Sequence, residues 1–198
     1  LVIYYRYLSK IVNNENKDFI SSLELGKSVG QTAAKVRKDL SYFGDFGCKG
    51  VGYEVSSLKK SLEKILGFNQ SHPMLLIGAG NIGRALVNYQ EFKKMGLNIV
   101  EVLDNDLAKI GNRVGKFKVK STKEMEEIIE KKKIKMAILA VPPEEAQMVA
   151  ERLVDAGIEA IWNFAPVALK LSNDIIVYYE DLSSSIVSLN YMYQHRSE

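Results

Sequence analysis

Hydrophobic and polar positions change their period once along this chain, near residue 70. Before that point apolar residues return every three or four positions, the spacing of amphipathic helices. Beyond it, short unbroken apolar runs alternate with amphipathic stretches. A first helix is predicted over residues 1–14, with Ile3, Leu8, Ile11 and Val12 as its apolar side. Ser21-Ser22-Leu23-Glu24 has the spacing of a capping box and opens a short second helix towards Ser28. After a turn at Gly30, Thr32 caps a third helix in which Ala33, Val36, Leu40 and Phe43 share a face and which Gly44 ends. Residues 46–55 read as a β-hairpin with a glycine-rich tip carrying Lys49. A fourth helix over 57–66 offers Leu58, Leu62, Ile65 and Leu66 to close a small core. The polar stretch Asn69-Gln70-Ser71-His72-Pro73 then marks a domain boundary.

The second region begins with a short apolar strand, Met74–Ile77, followed by a helix over 82–95. Further strands are predicted over 99–103, 117–119, 136–141, 159–162 and 175–178, and further helices over 123–132 and 144–156. Continuous apolar strands separated by helices specify a parallel, doubly wound α/β sheet. The tail over 181–196 reads as a helix with Leu182, Ile186, Leu189 and Tyr193 in one stripe and Val187 and Tyr191 beside it. A terminal helix this apolar needs a surface to dock on, in its own domain or on a partner chain. The chain thus divides into segments 1–70, 71–179 and 180–198.

Two stretches carry chemistry. Gly78-x-Gly80-x-x-Gly83 follows a strand and opens a helix, the context the dinucleotide fingerprint requires. The first glycine permits the tight turn, the second lets the backbone approach a pyrophosphate, and the third lets helix and strand pack closely. The helix N-terminus at Asn81 and Ile82 supplies N–H groups to the anion. Asp104 ends the next apolar run about twenty residues beyond Gly83, where a carboxylate accepts from ribose hydroxyls and repels a 2′-phosphate. NAD(H) is therefore expected over NADP(H); Asp106 is the alternative ribose partner. Ligand loops of such sheets lie at strand C-terminal ends, which adds Val141, Pro142, Asn163, Ala165 and Pro166 to the expected cofactor site.

Helix, glycine turn, helix and hairpin form a winged helix. Burying the apolar face of the third helix leaves Lys35, Arg37, Lys38, Ser41 and Tyr42 outward, residue types that contact phosphates and base edges, with Lys49 on the wing.

Charge supports this division. Net charge is +3, but residues 1–70 hold 11 Lys/Arg against 7 Asp/Glu, and residues 71–198 hold 16 against 17. The first third is the part suited to a polyanion. The longest apolar runs span five or six residues, far short of a membrane span, and the N-terminus has no signal-peptide pattern. A single cysteine, Cys48, rules out an intrachain disulfide and points to a reducing cytoplasm. The chain starts at Leu1 rather than Met, so preceding residues are expected in a longer protein.

An NAD-dependent dehydrogenase is the competing reading, but the two histidines, His72 and His195, fall away from the expected ligand edge. Tyr89-x-x-x-Lys93 has a Tyr–Lys spacing used in short-chain dehydrogenases yet comes too early in the chain, so Lys93 reads as a solvated lysine. No enzyme activity is expected. A repressor sensing another nucleotide-type ligand, such as an acyl-CoA, is a second alternative. Cys48 reads as a passive wing residue, and no His/Cys cluster suggests a metal.

Val36-Arg37-Lys38-Asp39-Leu40-Ser41-Tyr42-Phe43-Gly44, with Gly50-Val51-Gly52-Tyr53, resembles the recognition helix and wing of the Rex redox-sensing transcriptional repressors. The fingerprint, Asp104, Asn163-Phe164-Ala165-Pro166 and the terminal helix match in order, so the resemblance spans the chain. It implies a bacterial homodimer that binds an inverted-repeat operator on double-stranded DNA and is released by NADH, responding to the NADH/NAD+ ratio. It implies a domain-swapped C-terminal helix inserted between the partner's two domains. It also implies a coupled trio near the nicotinamide, formed by Arg6, Tyr89 and Asp181 of the partner subunit. One departure is Lys49, where the family commonly has Arg; lysine offers charge without a bidentate guanidinium.

Overall fold

The computed structural model describes residues 1–14 and 17–196, and the chain forms two compact units, Leu1–Gln70 and Ser71–Glu198. Positions 197 and 198 of the expected third segment lie outside the described residues.

The first unit contains α1 (Val2–Asn14), β1 (Phe19–Ile20), α2 (Ser22–Ser28), α3 (Ala33–Ser41), β2 (Gly47–Cys48), β3 (Gly52–Glu54) and α4 (Val55–Ile65). Ser21 caps α2 by accepting from Glu24 N–H at 3.1 Å, and Thr32 caps α3 through Lys35 N–H at 3.1 Å. The reciprocal half of the expected box goes elsewhere, because the Glu24 carboxylate pairs with Lys17. The core is built from Tyr4, Leu8 and Ile11 of α1, Ile20, Leu25, Val36, Leu40, Tyr53, Val55, Leu58 and Leu62. Two expectations fail here. Ile3 and Val12 face outward while Tyr4 is 1% exposed, so α1 is rotated from its most aliphatic face. Phe43 is also exposed, because α3 ends at Ser41 and Tyr42 caps it. The wing gains a strand too short to show a period: β1 pairs antiparallel with β3, giving the order β1-β3-β2.

The second unit runs β4 (His72–Ile77), α5 (Asn81–Asn88), α6 (Glu91–Lys94), β5 (Leu97–Asp104), β6 (Arg113–Val114), β7 (Phe117–Lys118) and β8 (Lys120–Ser121). It continues with α7 (Met125–Lys132), β9 (Met136–Leu139), α8 (Pro143–Asp155), β10 (Ala160–Asn163), β11 (Ile176–Tyr179) and α9 (Leu182–Gln194). The six-stranded sheet has the order β11-β10-β9-β4-β5-β8, with every pair parallel. Its direction of winding reverses between β4 and β9, the topological switch point of a Rossmann sheet. Leu75, Leu76, Ile77, Leu103, Ile138 and Leu139 are fully buried, as strands covered on both faces require.

His72 and Pro73 belong to β4 rather than to a linker. The single helix expected over 82–95 is two: α5 ends at Asn88, and Tyr89 is extended (φ −79°, ψ 94°) before α6 begins. The segment after β5 holds an antiparallel β6–β7 hairpin, whose Gly115 lies where a Cβ would meet Val87 of α5 at 2.7 Å. Every described residue of α9 is exposed.

Gly52 sits at φ +111° with its absent Cβ 2.5 Å from Ile20 O, so only glycine fits where β1 meets β3. Gly52→Ala is expected to destabilise the first unit by about 1–3 kcal/mol, read as a lower urea midpoint. An unchanged midpoint would show that the β1–β3 contact yields easily.

Candidate functional site: a dinucleotide cavity and a winged-helix face

The loop between β4 and α5 separates the roles of its three glycines. A Cβ on Gly78 (φ +104°) would lie 2.2 Å from Ala140 O, and one on Gly83 would lie 2.0 Å from Gly78 O. Both are therefore demanded by packing within the protein. Gly80 is different: its added Cβ meets nothing within 4 Å. Its φ of −75° and ψ of −165° are open to any residue. Neither packing nor backbone strain accounts for a glycine there, and the missing side chain leaves the backbone open to the close approach a pyrophosphate requires. Gly80 is also the N-cap of α5 and supplies no side-chain cap, leaving first-turn N–H groups for an anion. The residues present thus fit a dinucleotide.

The loop opens onto a cavity of about 630 Å³ at the switch point. Gly78, Gly80, Asn81, Ile82, Asp104, Val141 and Pro142 all line it, so seven of the expected cofactor residues converge. Gly83 is buried behind them. Asp104, 4% exposed, ties the loop to β5: Oδ2 accepts from Ala79 N–H at 2.8 Å and Oδ1 from Asp106 N–H at 2.9 Å. Lys109 Nζ lies 3.2 Å from Oδ2 and 3.6 Å from the Asp106 carboxylate. Burial raises the Asp104 pKa, but the two backbone donors and Lys109 outweigh it, and the net shift is downward. The group is an anion held ready to accept.

The other expected residues lie elsewhere. Tyr89 lines a separate hollow of about 560 Å³ with Phe92, Lys93 and Lys116. Its ring meets Phe92 edge-on at 4.8 Å, Phe92 meets Trp162 at 5.7 Å, and Trp162 meets Phe164 at 4.6 Å. Ala165 and Pro166 share a third hollow with Asp181. Asn163 is fully buried and spends its amide on its own loop. Its Nδ2 donates to Ala165 O at 3.1 Å and Val167 O at 3.0 Å, and its Oδ1 accepts from Ala165 N–H at 2.9 Å. Asn163 therefore shapes the loop that presents Ala165 and Pro166. Asp181 caps α9 by accepting from Ser183 N–H at 2.9 Å, and Arg6 is exposed on α1.

Sequence reasoning missed Lys109, Met148, Val149 and Arg152 of the cavity wall. A signal existed for both groups. Asp106 and Lys109 are three residues apart in one turn, and Glu145, Met148, Val149 and Arg152 share a stripe of α8 at helical spacing. Mixed polarity hid that stripe. His72 starts β4 at the sheet edge opposite the cavity, and His195 stacks on Tyr191 at the end of α9.

In the first unit, Lys35, Arg37, Lys38, Ser41, Tyr42 and Lys49 are all exposed. Arg37, Ser21, Ser22 and the wing residues around Lys49 line one hollow of about 430 Å³, which brings a helix cation and a wing cation to one concavity. Lys35, Lys38 and Tyr42 line another. Arg37 donates to Ser22 Oγ at 2.9 Å, and Lys35 pairs with Asp39 at 2.6 Å.

A cationic winged helix in series with a Rossmann cavity defines a class: nucleotide-responsive DNA-binding regulators. Relatives narrow it. A family described as "CoA binding domain" matches residues 69–167, and one described as "Putative DNA-binding protein N-terminus" matches residues 1–41. The redox-sensing transcriptional repressor Rex of Chloroflexus aurantiacus is 41% identical over 198 residues, covering 100% of this chain and 93% of its own. That of Pelotomaculum thermopropionicum is 44% identical over 191 residues, covering 96% and 89%. The solved structure of RSP, a Rex-family repressor, with β-NAD+ and operator DNA superposes with a TM-score of 0.89 at 40% identity, covering 98% of this chain and 89% of that one. RSP with β-NADH gives 0.86 at 38% identity, covering 98% and 90%. The chain belongs to the Rex family of redox-sensing transcriptional repressors.

Because the folded pKa of Asp104 is lowered, its charge adds stability above the ordinary carboxylate pKa, and that contribution is lost as pH falls through the folded value. Asp104→Asn is expected to melt below wild type at pH 7, with the gap closing below about pH 4. A pH-independent gap in thermal melts would show that the charge is not what stabilises the loop.

Proposed function

We propose that this chain is a cytoplasmic, homodimeric repressor that holds an inverted-repeat operator with two winged helices and lets go when NADH enters the Rossmann cavity. The observation that carries the ligand half is Gly80, the fingerprint glycine that packing leaves unexplained. It is supported by Asp104, whose anionic carboxylate suits a ribose diol and disfavours a 2′-phosphate. Family membership supports the repressor half, since the relatives are named as redox-sensing transcriptional repressors and RSP was solved with both redox forms of the dinucleotide and with operator DNA. The role is signalling rather than turnover. No helix among the described residues is long and apolar enough to cross a membrane.

In this reading α3 enters the major groove with Arg37 and Lys38, and Lys49 reaches an adjacent groove. Gly78, Gly80, Asn81, Ile82 and Gly83 hold the pyrophosphate, Asp104 the ribose, and Val141, Pro142, Ala165 and Pro166 flank the nicotinamide half, with Asn163 positioning the last two. Two recognition helices demand a dimer. The apolar α9, with Leu182, Ile186, Leu189 and Tyr193 all more than half exposed, is the element that needs a partner surface, which a domain-swapped contact with a second copy supplies.

Discrimination between NADH and NAD+ has to arise at the nicotinamide, because the remainder of the two molecules is the same. NAD+ carries a ring charge that an apolar site closed by the partner's tail penalises through desolvation. Tyr89 and Arg6 then compete for Asp181 of the partner subunit, and the ring's charge biases that competition. Tyr89 suits the part: it is 46% exposed and sits in the break between α5 and α6 rather than inside a rigid helix.

The test is the mobility of an inverted-repeat operator fragment bound by the protein, titrated separately with NADH and NAD+. Release at far lower NADH than NAD+ is expected; equal sensitivity would overturn the reading. Tyr89→Phe is expected to keep DNA and cofactor binding but narrow the gap between the two titrations. A wild-type ratio would take Tyr89 out of the switch. Truncation after Glu180 is expected to give monomer or aggregate in sedimentation, and a clean DNA-binding dimer would refute the tail as the dimer element.

A further inference from the structure

The recognition helix contains one acidic residue, Asp39, at the margin of a surface offered to a polyanion. A carboxylate there opposes phosphate unless it is held and neutralised. The structure holds it from two sides. Lys35 Nζ, one turn earlier on α3, donates to Oδ1 at 2.6 Å. The Tyr4 hydroxyl, reaching across from α1, donates to Oδ2 at 2.8 Å. Tyr4 is 1% exposed, so its ring belongs to the core while its hydroxyl meets the edge of the α3 surface. The Lys35 and Tyr4 bonds together keep the Asp39 carboxyl below its usual range. Burial, with the negative charge beside it, pushes the Tyr4 hydroxyl up to about 12, so it remains a neutral donor at any working pH.

The two donors differ in what they do when DNA arrives. Lys35 is exposed at the end of a flexible stem, with a choice between Asp39 and a phosphate. Tyr4 is fixed in the core and has no such choice. We infer that Tyr4 is a positioning residue for DNA binding: its hydroxyl retains the Asp39 carboxylate against α1 and so releases Lys35 to a backbone phosphate. Without that hydroxyl, Asp39 has Lys35 as its remaining donor and keeps it out of the interface. A carboxylate that already accepts a charge-assisted bond from a fixed hydroxyl holds a second donor less tightly, which is why Tyr4 decides where Lys35 goes. The inference rests on the proposed placement of α3 against DNA.

Salt dependence of operator binding reads this directly, because each phosphate contact adds close to one unit to the slope of log K against log salt concentration. Tyr4→Phe, carried by both protomers, is expected to make that slope shallower by about two and to weaken operator binding about thirtyfold at 0.15 M salt, the worth of one phosphate contact in each half-site. Asp39→Asn in the Tyr4→Phe background is expected to restore the wild-type slope, since no carboxylate remains to hold Lys35. Lys35→Ala alone is expected to lose the same two units of slope, and Tyr4→Phe added to it is expected to take away no more. A purely structural role for Tyr4 predicts a lower melting temperature with an unchanged slope and no rescue by Asp39→Asn, and either result overturns the inference. A wild-type slope for Lys35→Ala overturns it together with the placement of α3. A shallower slope for Lys35→Ala but not for Tyr4→Phe overturns the inference alone.

Discussion

Two close backbone approaches at the head of β4 govern the second unit. The space a side chain would need at Gly78 is taken by Ala140 O, and the space at Gly83 by Gly78 O. These contacts draw β9 against the loop from one side and α5 from the other. Asp104 completes the arrangement by taking the Ala79 N–H, which fastens the loop to β5. Three neighbours of one strand are thereby brought to a common point, and the cavity is what remains in front of them. A methyl group at either glycine would push β9 or α5 outward and displace the cavity wall with it. Ligand geometry is therefore a by-product of how tightly the sheet and its first helix close.

What sequence could disclose followed from how local each cause was. The buried strands β4 and β9 were legible as unbroken apolar runs, and the fingerprint as glycines between a strand and a helix. The caps at Ser21 and Thr32 were legible because their bonds reach only three residues ahead. The break at Tyr89 was not, because Asn88-Tyr89-Gln90 holds no glycine or proline. The β6–β7 hairpin packs against the end of α5 there, and a distant segment is invisible to local propensity. The face of α1 was misjudged for a similar reason. Tyr4 is a poor core residue until its hydroxyl has a partner, and that partner is 35 positions away. Within the site, the glycine loop and Asp104 were readable, whereas Lys109 and the α8 stripe came to the cavity only through the fold.

The two units also differ in how they meet their needs for burial. The first closes an aliphatic core with hydroxyls at its margin, Tyr4 to Asp39 and Tyr5 to Glu63, so its helices are fixed by polar contacts as well as packing. The second buries the middle of its sheet, at Leu75–Ile77, Val102–Leu103 and Ile138–Leu139, but leaves the edge strand β11 largely exposed and α9 bare. A helix of 13 residues with nothing buried has little to hold it in water, since isolated helices of that length are marginal. Its stability and its docking are thus one problem.

Trp162 gives this architecture an optical property. It is the chain's only tryptophan, so emission excited at the indole absorption edge comes from one known place. Its ring touches Phe92, next to the Tyr89 break, and Phe164, inside the loop that Asn163 shapes; its indole N–H reaches Glu180, the residue before the α9 cap. Rearrangement of any of these three segments changes the polarity around a single fluorophore. Reduced nicotinamide absorbs where tryptophan emits and the oxidised ring does not, so the dinucleotide binding proposed above would be reported, without a label, by this one residue.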